Sequence, residues 1–461
     1  MRNGDVSFWW HTRGLPPRRP SLSGGAAADV CIVGAGYTGL WTAYYLSRAD
    51  PSLRIVVLEA AFAGFGASGR NGGWVTAALP GSRPGYAKSQ QGVTGVRALE
   101  QALRDTVDEV ARVCKTENID AGLVKGGTLT VATSAAQDAR LRQHLDRDRA
   151  WGDADTVVRY LGYEELTERI RVAGAVGALY SPDCARIQPA DLVAGLADVV
   201  TASGVDLYEG TPVTSIEPGQ AHTPSGSVRA RYVLRCTEGF TARLPGQRRR
   251  LLPMNSAMIV TGPLSDAAWA EIGWAGCETL DDEAHAYMYA QRTADGRIAL
   301  GGRGVPYRFG SGVDDAGTTQ PATIASLSRI LRRKFPAAVP AGIAHAWCGV
   351  LGVPRDWCAA VDLDPATGLG WAGGYSGHGV AASNLAGRTL ADLVRGVPSP
   401  LVTLPWVGHQ SPSWEPEPLR WTGVHGLYTL YRAADRLESW SSSGRTSPLA
   451  RAGDLISGIP H

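Results

Sequence analysis

The sequence predicts an α/β chain, α+β overall, in which a parallel-sheet domain is threaded through a second, strand-rich domain. Three observations carry this. Val30-Cys31-Ile32-Val33 is a short apolar run of the kind a buried parallel strand shows, and a Gly-rich turn, a helical stretch and a second apolar run, Ile55-Val56-Val57-Leu58, follow it. That is a βαβ unit close to the N-terminus. A helix followed by strands recurs between 189 and 236, and a last Gly-rich turn opens a helix at 373–395. One compact lobe would not interleave elements in this way, whereas two domains that pass the chain back and forth would.

Each element has its own signal. Residues 1–27 are rich in Pro and Arg and read as an extended lead-in, with Trp9-Trp10 packing on the body. The first helix runs from about 37 to 47. Residues 96–118 repeat apolar side chains at helical spacing (Val96, Leu99, Leu103, Val107, Val110), and 125–132 reads as a turn and strand. Residues 189–203 form an amphipathic helix stopped by Gly204, and strands follow near 207–216 and 232–236. Strands are expected at 257–261, 285–291 and 297–301, then a helix at 322–335. The final helix buries Ala382, Leu385, Ala386, Leu390 and Leu393 at spacings of three and four. Beyond Val397 the chain turns rich in Pro, Trp, Ser and Arg. Residues 398–461 are read as an extension on the outside of the protein, with one helix near 427–437.

Composition narrows the function. The 461 residues are 44% apolar, ordinary for a globular core, and the net charge of +2 offers no electrostatic reason for a nucleic-acid partner. The seven cysteines (Cys31, Cys114, Cys184, Cys236, Cys277, Cys348, Cys358) are odd in number and scattered, without a CxxC pair. They fit a reducing compartment better than a disulfide framework. The nine histidines are equally dispersed, so no metal is expected. No apolar run reaches the roughly 18 residues of a membrane span. Arg18-Arg19 is followed by no apolar export segment, so the expected location is cytoplasmic.

Gly34-Ala35-Gly36-Tyr37-Thr38-Gly39 fits G-x-G-x-x-G, follows a strand, opens a helix, and precedes Glu59 at the end of the second strand. This is the context of a Rossmann-like dinucleotide site. Gly34 permits the tight turn, Gly36 admits a pyrophosphate, and Gly39 lets helix and strand pack closely. Glu59, with Ala60 beside it, faces the ribose of the adenosine half, and its charge disfavours a 2′-phosphate. The helix N-terminus offers N–H groups to the phosphates. A second Gly-rich loop, Gly66-Ala67-Ser68-Gly69-Arg70-Asn71-Gly72-Gly73, follows at once. A ligand longer than adenosine diphosphate needs such a second cradle, which favours FAD over NAD.

Together these motifs resemble the FAD-dependent D-amino acid oxidase superfamily, most closely its γ-glutamylputrescine oxidase-like, glycine oxidase and sarcosine oxidase branch. The likeness continues in Ile187-Gln188-Pro189, in Val233-Leu234-Arg235-Cys236-Thr237-Glu238-Gly239 and in Gly373-Gly374-Tyr375-Ser376-Gly377-His378-Gly379-Val380. It implies a Rossmann-like FAD-binding domain (28–80, 181–245 and 345–397) interleaved with an antiparallel-sheet substrate domain (81–180 and 246–344). By the same resemblance Val213 lies against the adenine. Thr237 and Gly239 lie near the adenosine-side phosphates. Gly377, His378, Gly379 and Val380 open a helix aimed at the pyrimidine end of the flavin, where a helix N-terminus stabilises the negative charge of the reduced ring. Cys348, beside Gly349, precedes Pro354 by six residues, as does the flavin-linked cysteine of sarcosine oxidases, while Gly349, Val350, Leu351 and Gly352 depart from that segment; the resemblance leaves two readings open, a covalent flavin link at Cys348 and a small buried residue beside the flavin.

The chemistry such a site implies is oxidation of an amine or amino acid to an imine, with O2 or another electron acceptor. The flavin takes the hydride, so the protein needs to position the C–H bond rather than supply a nucleophile–base pair. In Tyr287-Met288-Tyr289-Ala290-Gln291, alternation places Tyr287, Tyr289 and Gln291 on one face, with Arg303 at the end of the next strand. Aromatic rings with a polar handle suit a small amine. With His378 these are the expected catalytic residues. Two other readings stay open from the sequence: oxidation of a non-amine biosynthetic intermediate, and a flavin-binding protein without catalysis.

Overall fold

The computed structural model describes residues 1–302, 304–440 and 444–457. Two large sheets organise them. In the first, the strands Asp206–Tyr208, Ile55–Leu58, Ala26–Val33, Gly226–Arg235 and Leu369–Gly373 lie side by side and pair in parallel. The helices Tyr37–Ala49, Pro189–Ala202 and Gly379–Arg395 cover one face of it in a single apolar core. Burial on both faces explains why Ile55–Leu58 is an uninterrupted apolar run. The 207–216 stretch read as one strand is two, Asp206–Tyr208 and Ser215–Glu217. The chain turns between them through Gly210, whose φ is 60°, and Pro212 has no N–H for a ladder.

The second sheet has nine strands in the order Arg2–Asn3, Ile343–Val353, Leu252–Thr261, Ile298–Gly302, Met288–Arg292, Thr279–Asp282, Thr128–Ala132, Gly177–Ser181 and Arg159–Gly162. Most pairs are antiparallel. Two are parallel, Arg2–Asn3 with Ile343–Val353 and Thr279–Asp282 with Thr128–Ala132, so the sheet is mixed rather than purely antiparallel. The helix Pro321–Lys334 packs against its outer face with Leu327 and Leu331.

The lead-in is not simply extended. Its first strand joins the second sheet, and the helix Phe8–Arg13, capped by Ser7, buries Phe8, Trp9 and Trp10 almost completely. Three large aromatic side chains outweigh the weak helix propensity of the segment. Beyond 397 the helix Leu419–Trp440 is longer than the sequence suggests, and it is followed by the helix Pro448–Ser457. Among the described residues no helix is long and apolar enough to cross a membrane.

A cavity between the two sheets

A cavity of about 430 Å³ lies between the sheets. Its first wall is the turn after the first strand. Gly34 has φ 106°, and a Cβ there would stand 2.5 Å from the Cys236 carbonyl oxygen, so no other residue fits without moving the backbone. Gly36, Tyr37 and Thr38 line the cavity where the helix Tyr37–Ala49 begins, while Gly39 sits behind them against the Gly34 carbonyl. Glu59 and Ala60 line the same end. The Glu59 oxygens accept from the N–H groups of Ala35 and Ala61, both at 2.9 Å. Each carboxylate oxygen keeps a second lone pair that a ribose hydroxyl can use.

The second Gly-rich loop lines the middle with Gly66, Ala67, Ser68, Arg70, Asn71 and Gly72. Its polar side chains chiefly hold the loop. Ser68 Oγ accepts from Tyr37 N at 2.8 Å, joining the two cradles. Asn71 donates to the carbonyls of Ala67 and Ser68 and accepts from Gly73 N. The Arg70 guanidinium stacks 4.5 Å from the Phe65 ring and donates to the carbonyls of Phe65, Asp314, Asp315 and Cys348. Its charge is thereby committed to carbonyl oxygens at the start of the glycine loop, of residues 314 and 315 and of the strand Ile343–Val353. Gly73 lies behind the loop, against Gln291.

Val213, Thr237, Gly239, Gly349, Gly377, His378, Gly379 and Val380 also line the cavity. The final turn is shaped by Glu238, whose carboxylate accepts from Gly374 N at 3.0 Å and Tyr375 N at 3.2 Å. Burial pushes this carboxyl up to about 7, against the pull of those N–H groups. The Tyr375 hydroxyl bonds Thr38 Oγ1 at 3.0 Å and so ties the final turn to the first helix. His378 is the N-cap residue of Gly379–Arg395 and is exposed.

The second sheet forms the opposite wall. Register places Asp281 opposite Tyr289, and Tyr289 opposite Gly301. A Cβ on Gly301 would stand 2.2 Å from the Tyr289 ring, so this glycine lets the ring lie on the sheet. Tyr289 bonds Ser256 Oγ at 2.8 Å and meets the Trp74 ring edge-on at 6.2 Å between centroids. Tyr287, Trp74, Thr76, Ser256 and Asp281 complete this wall.

Two expectations for this wall need correction, and a third falls on a residue that is not described. Gln291 does not reach the cavity: it is fully buried and donates to the carbonyls of Gly72 and Ile187 at 2.7 and 3.2 Å, supporting the Gly-rich loop from behind. Cys348 pairs with Ala257, one position out of step with the Ser256–Gly349 pair that faces the cavity. Side chains alternate along a strand, so its Sγ points to the other face, 3.3 Å from the Thr318 carbonyl oxygen. A covalent link to a flavin in the cavity is therefore not what this geometry supports. Arg303 lies outside the described residues.

Sequence reasoning missed Trp74, Thr76, Glu238, Ser256 and Asp281. Trp74 directly follows the loop and Glu238 sits inside a motif, so position alone pointed to both. Ser256 and Asp281 had no local signal, because only cross-strand register brings them beside Tyr289. Outside the cavity, Asp356, Cys358 and His409 converge, as do His285, Asp435 and Glu438. In both groups the histidine bonds a carboxylate, His409 to Asp356 at 2.8 Å and His285 to Glu438 at 3.0 Å.

The cavity fits FAD: a helix N-terminus and two glycine cradles for the phosphates, a carboxylate for the ribose, and a second helix N-terminus at the far side. Comparisons with known proteins agree. The family model "DAO: FAD dependent oxidoreductase" matches residues 29–393. The chain is 31% identical to gamma-glutamylputrescine oxidoreductase of Escherichia coli over 383 residues, covering 82% of this chain and 85% of that protein. It is 25% identical to glycine oxidase of Geobacillus kaustophilus over 381 residues, 79% of this chain and 92% of that one. The crystal structure of glycine oxidase from Geobacillus kaustophilus superposes with a TM-score of 0.70 at 22% identity, covering 84% of this chain and all of that one.

Proposed function

The chain belongs to the DAO family of FAD-dependent oxidoreductases, and from that premise we propose that it oxidises the C–N bond of a primary or secondary amine, or of an amino acid, to an imine, with O2 as acceptor. The observation that carries this reading is the wall of Tyr287, Tyr289 and Trp74, with Ser256 and Asp281 among them, facing the cofactor cradle across one cavity. Support also comes from the relatives, whose names include gamma-glutamylputrescine oxidoreductase and glycine oxidase.

FAD, when bound, supplies the hydride acceptor. The protein's own residues would do the rest. The N–H groups that begin the helix Tyr37–Ala49 would meet the pyrophosphate, with Ser68 holding Tyr37 N in place. Glu59 would hold the ribose, and Val213 would lie by the adenine. Residues 377–380 begin a 17-residue helix whose N-terminal partial charge would favour an anionic reduced cofactor. The aromatic wall would exclude water and hold the amine by its faces, with the Ser256–Tyr289 pair fixing one ring.

The test is anaerobic mixing of the purified holoprotein with a panel of amines, amino acids and hydroxy acids while the flavin bands are followed. Bleaching by an amine or amino acid, with recovery of colour and hydrogen peroxide on admitting air, is the expected result. Bleaching by hydroxy acids alone, or by nothing in the panel, would overturn the reading.

A further inference from the structure

On the substrate wall one polar group stands apart. Asp281 faces the cavity, in register with Thr130 on one neighbouring strand and Tyr289 on the other. Its Oδ1 is buried and has no hydrogen-bond partner among the described residues. A buried carboxylate oxygen left unpaired is costly, and native structures rarely keep one without a reason. Two basic groups of the described residues near it are engaged. Lys334 pairs with the next residue, Asp282, at 2.9 Å, and Arg140 pairs with Glu438 at 2.8 Å and approaches Glu283 at 3.8 Å. Burial pushes the Asp281 carboxyl up to about 7 against a hydrogen bond from Thr130, and Glu283 and Asp282 push it the same way, so a cation brought beside Asp281 would favour its charged form.

Position adds the second half of the argument. The final turn reaches the second sheet at the strand Ile343–Val353, where Ser376 N donates to the Gly352 carbonyl oxygen and Gly349 lines the cavity. Asp281 lies four strands away in the same sheet, roughly 19 Å at the usual strand spacing. The carboxylate is therefore remote from the helix N-terminus that faces the cofactor. The rings of Tyr287, Tyr289 and Trp74 line this part of the cavity and offer faces to a positive charge.

We propose that Asp281 forms the anionic end of an elongated substrate site, and that the preferred substrates are aliphatic diamines, oxidised at one nitrogen while a second, protonated nitrogen is held by the Asp281 carboxylate. This rests on the amine-oxidation reading and adds to it a substrate class and a residue that selects it. The rings act as sleeves for the methylene chain and as secondary partners for the ammonium.

The experiment compares 1,4-diaminobutane and 1,5-diaminopentane with butylamine, glycine and sarcosine on the intact holoenzyme, reading the Kd and limiting rate of anaerobic flavin bleaching. Wild type is expected to bind a diamine about a hundredfold more tightly than butylamine, the scale of a buried charge pair. Asp281→Asn, which keeps the shape and removes the charge, should erase most of that preference through Kd, with less than a tenfold change in the limiting rate. Asp281→Glu should restore part of it. Equal Kd values for diamine and butylamine in wild type overturn the site without any variant, as does an Asp281→Asn enzyme that retains the preference. Bleaching by no amine at all overturns the amine reading and the site with it. Bleaching by monoamine and diamine alike overturns the site alone.

Discussion

Replacing Glu438 by Ala should destabilise the protein at a point that the sequence marks as peripheral. Glu438 lies on the helix Leu419–Trp440, outside the matched family region, yet its side chain is 6% exposed. It accepts from Arg140 at 2.8 Å and from Ser447 N at 2.7 Å, and pairs with His285 at 3.0 Å. On the same helix Asp435 accepts from His285 N and Ala286 N, both at 2.9 Å, so the extension holds the segment that leads to Tyr287. Removing the carboxylate leaves Arg140, itself 6% exposed, without its closest anionic partner. Breaking a buried pair in this way costs about 3–5 kcal/mol. With an unfolding entropy of about 2.1 cal/mol/K per residue over the 461 residues, that is a fall in Tm of roughly 3–5 °C.

The loss should depend on acidity with a definite sign. Burial works against ionisation of Glu438, but the His285 ring, Ser447 N–H and Arg140 outweigh it and bring the carboxyl from 4.5 down to about 2. A depressed carboxyl contributes stability that is fully present above its unfolded pKa and is lost as pH falls through the folded one. The shift corresponds to about 3 kcal/mol, present above pH 4.5 and disappearing toward pH 2. Thermal unfolding of wild type and Glu438→Ala across that range, with Glu438→Gln as a neutral control, measures both quantities. A variant that melts within about 1 °C of wild type at pH 7, or a gap that does not narrow on acidification, would refute the reasoning.

Two further outcomes follow from the cavity. Gly34→Ala places a Cβ 2.5 Å from the Cys236 carbonyl oxygen at φ 106°, so this variant should purify with little flavin, read as the ratio of visible to ultraviolet absorbance; full occupancy would show that the turn can give way. Cys348→Ser should leave the flavin spectrum as it is, and acid precipitation should release the colour to the supernatant from both proteins, because Sγ faces the Thr318 carbonyl. Colour retained in the wild-type pellet and lost from the variant would show that the strand can turn that sulfur toward the flavin.

How much of this was legible depends on the range of the interactions involved. The first βαβ unit, the two glycine loops and the final helix were readable because each is a local device. A buried parallel strand is a short apolar run, a close backbone approach demands glycine, and an amphipathic helix repeats every three or four residues. The lead-in misled because Pro and Arg dominate its composition, while its fate is decided by Phe8, Trp9 and Trp10 meeting a core built from later residues. Gln291 was placed on the right face by alternation, but alternation does not reveal that the Gly72 and Ile187 carbonyls stand in front of it.

By itself, then, the sequence determined the cofactor class, the glycine turns at the first and last walls of the cavity and the interleaved architecture, because these rest on backbone conformation and periodicity within a few residues. Only the tertiary structure decided which side chains of the second sheet line the wall opposite the glycine loops. Tyr289, Ser256 and Asp281 come together through strand register, and Cys348 turns away from the cavity by a single step of that register, since in a sheet one residue is the difference between one face and the other.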